Sequence, residues 1–151
     1  MWAQRGSCPR AVRQTEYKWG YVFGAVNPLT GESSALIAPT VSTELMSTHL
    51  RMIAEQAGDD THVVLVLDGA GWHKADDLIV PESMTLFFLP PYSPELMPME
   101  LVWLWMREHD LSNRVLEDEA AIDAACRASW NNLTPQRLKT ITATDWLTHV
   151  N

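Results

Sequence analysis

The chain has 151 residues, 46% of them apolar and 20% charged, which is the mix and length of one globular domain with a real core. Its formal charge of −8, nineteen acidic against eleven basic residues, gives no positive stripe of the kind that phosphate contacts need; the densest basic cluster is Arg5, Arg10 and Arg13, with Lys18 further on. No run of about 20 apolar residues predicts a membrane span, "MWAQRGSCPR" has no apolar signal core, and Cys8 and Cys126 fit no metal spacing, so both read as free thiols in a reducing, cytoplasmic compartment.

In chain order, "YKWGYVFGAV" (Tyr17 to Val26) is aromatic and β-branched and predicts a strand. "NPLTGES" is a turn, and "SALIA" returns as a second strand, so the two form a hairpin. From Ser42, the residues Leu45, Met46, His49, Leu50 and Ile53 recur on one helical face, with Gly58 as a stop. "HVVLVLD" (His62 to Asp68) and "MTLFFL" are apolar without alternation, the pattern of strands covered on both faces. A proline-rich loop follows. Helices are then predicted near Pro98 to His109, near Glu117 to Asn132, and from Pro135 with Thr134 as cap. The order β-β-α-β-β-α-α fits an α/β domain with a mixed sheet.

Two acidic residues stand out, and each has a plain reading. Asp68 closes a buried strand, where α/β sheets bind ligands, yet Asp68-Gly69 is also a common turn pair. Glu100 is the third residue of a helix begun by Pro98, where a carboxylate stabilises the helix start by roughly 0.3–1 kcal/mol. "DGAGWHK" suggests a phosphate loop only weakly, because Lys74 stands where a third glycine belongs and no Walker pattern is present.

Together these residues form a more specific pattern. Asp68, then His73 and Lys74, then "LFFLPPYSPELMPMELVW" resembles the DDE superfamily endonucleases, the insertion-sequence transposases of the mariner-like group. Asp68, His73, Leu89 to Pro94, Pro98, Glu100 and Trp103 carry the match. "WAQRGSCPRAV" and "YVFGAVNPLTGE" extend it over nearly the whole chain. The resemblance implies an RNase H-like α/β fold, with a mixed sheet and flanking helices. It also implies three carboxylates holding two divalent metals, usually Mg²⁺ (or Mn²⁺), and phosphoryl transfer on DNA ends. Asp68 and Glu100 would be two of the metal ligands and His73 a polar neighbour, although by default His73 reads as a surface residue at a helix start. The chemistry agrees: two metals about 3.5–4 Å apart can activate the attacking oxygen and stabilise the leaving one, and hard cations take carboxylate oxygens. A proline-stiffened loop would aim the helix of Glu100 at Asp68.

Two departures shape the expectation. The family's first Asp lies on a first, central strand upstream of the "WAQRG" segment, and no Asp precedes Asp59 here; Glu16 does not match the motif. The basic N-terminal DNA-binding region is also lacking. The resemblance therefore implies the C-terminal part of a catalytic domain, truncated and inactive alone, that lacks the central strand between the Tyr17–Val26 and His62–Asp68 strands. Expected partners are DNA, an upstream fragment supplying the first Asp, and further copies of the chain, with no membrane. The second departure is Met97, where the family usually has Asn. Met cannot cap the helix, at a cost of about 0.5–2 kcal/mol. The alternatives are a non-catalytic remnant serving at most as a binding module and, further off, an unrelated nucleotide-binding α/β protein.

Overall fold

The computed structural model describes residues 20–69, 76–91, 93–112, 114 and 116–144. Arg10 to Glu16, Cys8 and His73 lie outside the described residues. Strand β1 (Tyr21–Val26) turns through residues 27–32 into β2 (Ser33–Ala38), and the two pair antiparallel with Tyr21 opposite Ala38 and Val26 opposite Ser33. Asn27 organises the turn. Its side chain accepts from the Leu29 and Thr30 amides, and its carbonyl accepts from Gly31, whose φ of +79° suits glycine.

Helix α1 (Thr43–Ala57) starts where Ser42 accepts the Leu45 amide at 3.2 Å. It stops at Gly58, which has φ +85° and donates to the Ala54 carbonyl. Strand β3 (Val63–Leu67) then pairs parallel with β4 (Met84–Phe88), Val63 opposite Met84 and Leu67 opposite Phe88. The ladder runs one bond further, from the Leu89 amide to the Leu67 carbonyl at 2.9 Å.

The proline loop contains a short 3₁₀ turn, Pro94–Leu96, before α2 (Pro98–Met106), which runs on as a π-helical turn over Arg107–Leu111. Helix α3 (Glu119–Asn131) is capped by Asp118, which accepts the Ala121 amide at 2.7 Å. Helix α4 (Pro135–Ile141) is capped by Thr134, which accepts the Arg137 amide at 3.3 Å. The helix near 98–109 thus extends to Leu111 as a π turn, and the one expected from Glu117 begins two residues later, behind its Asp118 cap.

Alternation along the strands defines the layers. Val63, Leu65 and Leu67 of β3 and Met84, Leu86 and Phe88 of β4 pack with Met46, Leu50 and Ile53 of α1, and Phe23 of β1 joins the same cluster. One helix therefore underlies both strand pairs. On the opposite face of the hairpin, Val26 packs into a second cluster built from Met99, Val102 and Met106 of α2 with Leu133 and Leu138. Polar contacts tie this second layer together. Buried Ser129 donates to Asp110 at 2.8 Å. Arg137 lies 5.2 Å over the Trp105 ring and donates to the Asn132 carbonyl, and His109 stacks on Trp105 at 4.6 Å.

The four strands make two two-stranded sheets, with no ladder between β1 and β3 among the described residues; the expected sheet likewise lacks a strand between those two. One expectation meets a difference. The unbroken apolar run of β3 predicts cover on both faces, whereas Val64 is 61% and Phe87 57% exposed. α1 covers one face of each pair, but among the described residues the layer of α2, α3 and α4 packs over the hairpin and leaves the second face of the parallel pair open.

Candidate active site

Asp68 is the residue after β3, held at the end of a ladder that the Leu89–Leu67 bond extends beside it. Strand alternation sends residues 64 and 66 away from α1, and Asp68 follows them in phase. Its position is exposed. Glu100 lies in the first turn of α2, also exposed, with its amide donating to the Met97 carbonyl at 3.0 Å. Helix α2 packs on the hairpin face opposite α1, and Asp68 stands at the end of the parallel pair.

The start of α2 has no side-chain cap. Met97 occupies the cap position with φ −105° and ψ 97° and makes no such hydrogen bond. Pro98 supplies only a fixed φ at the first helical residue. What seats the helix is packing: Met99, 9% exposed, and Trp103 lie against β1 at Gly24, and Trp103 meets Trp130 of α3 at 6.0 Å. The signal for this contact was a glycine in the middle of a strand pattern, which marks close approach of another element.

In kind, the donors suit a hard divalent cation: two carboxylates on rigid mounts, reachable from solvent. In number they fall short. Among the described residues no group of three or more His, Cys, Asp and Glu gathers closely enough to hold a metal. His73 falls outside the described residues. Cys126 is a free thiol whose pKa is pushed up by burial and then by the Asp123 carboxylate, so it is no ready thiolate. No helix among the described residues is long and apolar enough to cross a membrane.

The sequence model of the family described as "DDE superfamily endonuclease" matches residues 1–123. The chain is similar to "Uncharacterized protein y4pE/y4sA" of Sinorhizobium fredii (strain NBRC 101917 / NGR234). The two are 45% identical over 130 residues, covering 85% of this chain and 96% of that protein. No solved structure matches.

Proposed function

The chain belongs to the DDE superfamily of endonucleases, and from that premise we propose that it forms the C-terminal part of a mariner-like, insertion-sequence transposase catalytic domain acting in DNA transposition. The reaction is metal-dependent cleavage and transfer of DNA strands. What supports the reading is the family match together with Asp68 directly after β3 and Glu100 in the first turn of α2, both exposed. Asp68 and Glu100 are the residues that would hold Mg²⁺ or Mn²⁺, with His73 as a polar neighbour. Such ions, when bound, lower the pKa of the attacking water and stabilise the leaving oxygen. The protein's own part is to hold two oxygen donors on stiff elements, open to the solvent side from which a DNA phosphate approaches.

The reaction needs a further carboxylate. β1 and β3 each keep an unpaired edge among the described residues while α1 packs across both. We assign the further carboxylate to a strand that pairs at one of these edges, contributed by another transposase segment. Without it the pair of ligands is incomplete, and the unpaired edges favour self-association. The second reading, a non-catalytic remnant that serves as a binding module, draws on the uncapped start of α2 at Met97.

Mn²⁺ titration followed by paramagnetic NMR broadening tests the site. Broadening should centre on Asp68 and Glu100 and disappear in Asp68→Ala and Glu100→Ala; broadening indifferent to both removes the assignment. Adding the Asp-bearing segment in trans should then permit strand cleavage. Robust Mg²⁺-dependent cleavage by the 151-residue chain alone would place the third carboxylate inside it and overturn the need for a partner strand.

A further inference from the structure

We infer that Gly24 is a positioning residue for Glu100: the notch left by its missing side chain sets the seat of α2 on β1, and through that seat the place of the Glu100 carboxylate. A Cβ built on Gly24 would lie 2.6 Å from Cη2 and 3.0 Å from Cζ2 of Trp103, and 3.1 Å from Cε of Met99. Ordinary carbon contacts are about 3.5–4.0 Å, so α2 lies closer to the strand than any side chain at this position would allow. Backbone conformation does not explain the glycine. Among the described residues only Gly31 and Gly58 have positive φ. The requirement at residue 24 is therefore space.

The residues that fill the notch bracket Glu100. Met99 precedes it by one position and Trp103 follows by three, within one helical turn. Trp103 cannot simply retreat, because Trp130 of α3 stands near it at 6.0 Å. At this end the helix is held by packing alone: Met97 rests on the same apolar cluster but makes no capping bond. Whatever lifts Met99 and Trp103 therefore tilts the first turn and moves Glu100 relative to Asp68, which is fixed independently on β3. A metal site depends on such placement, because rigid elements hold ligands more precisely than loops do.

This inference rests on the reading of Glu100 as a metal-holding residue, and the experiment separates the two. Gly24→Ala should weaken Mn²⁺ binding at Asp68 and Glu100 by about tenfold, the low end of what loss of outer support costs a metal site. It should also shift the Glu100 amide resonance. Adding Trp103→Phe, which removes the overlapping indole atoms, should restore both. Asp118→Ala, at the cap of α3 and away from both carboxylates, should lower the melting temperature and leave both readouts unchanged. If Gly24→Ala does not fold, Trp103→Phe alone loosens the same seat and should weaken Mn²⁺ binding where Asp118→Ala does not. Unchanged Mn²⁺ affinity and an unchanged Glu100 amide in a folded Gly24→Ala protein would overturn the inference, as would a folded double variant that restores neither. If the natural chain binds no Mn²⁺ at this pair, the functional reading fails instead, and the Glu100 amide shift still decides whether Gly24 sets the seat.

Discussion

The hairpin β1–β2 and the parallel pair β3–β4 rest on the same helix, α1, but their opposite faces are finished differently. Over the hairpin, α2, α3 and α4 close a second core around Met99, Val102, Met106, Leu133 and Leu138. Over the parallel pair, Val64 and Phe87 remain more than half exposed. This inverts the usual habit, because parallel strands are ordinarily covered on both faces while an antiparallel hairpin tolerates one wet face. The contrast teaches where the two candidate ligands get their rigidity. Glu100 rides on a helix fixed by a closed core, whereas Asp68 ends a strand with an unpaired edge among the described residues and an open face.

The largest test of the contrast is a matched pair of truncations. Leu138→Ala, at a site with 0% exposure, should cost about 2–5 kcal/mol by transfer and cavity formation. Phe87→Ser on the open face should change stability by no more than about 0.5 kcal/mol while reducing concentration-dependent association. Denaturant melts with size-exclusion chromatography read both. Similar losses in the two variants would mean that the open face is buried in solution.

A second test attacks the joint between the hairpin and α4. A Cβ on Gly31, whose φ is +79°, would collide with the Pro135 carbonyl. Gly31→Ala should therefore cost about 1–3 kcal/mol in backbone strain alone, and more as α4 is pushed off the turn. An unchanged denaturation midpoint would show that the hairpin half tolerates a loose turn.

The third test uses His49 of α1, which is 3% exposed, lies against Phe23 and faces the Ser34 carbonyl at 3.4 Å. Burial lowers its pKa from 6.5, and the Ser34 carbonyl offsets that in part. The folded protein thus favours the neutral ring, and the unfolded chain takes up the proton first as pH falls. The stability from this group is complete above pH 6.5 and is lost as pH drops through the depressed folded value. The slope from one such group is at most about 1.4 kcal/mol per pH unit. His49→Gln should flatten the stability profile below pH 6.5 relative to the natural chain; parallel profiles would show that the ring is not held neutral.

The smallest effect is expected at the α3 cap. Asp118→Ala should cost about 1 kcal/mol, measurable as a modest fall in melting temperature with no change in Mn²⁺ binding.

Much of this protein was legible in its sequence because the signals are local. Ser42 and Thr134 accept helix-start amides, Gly58 ends α1 with a positive φ, and Pro98 opens α2; each works through atoms within four residues. The Asp68 and Glu100 pattern around the proline loop also marked the family. What the sequence left open was decided at long range. Period and composition could not say that an apolar strand such as β3 would keep one bare face, because layering depends on which elements meet. The Gly24 notch belongs to the same class. A strand glycine is a local fact, but the indole that fills its space comes from a helix 79 residues further along the chain, and only the packed structure brings them together.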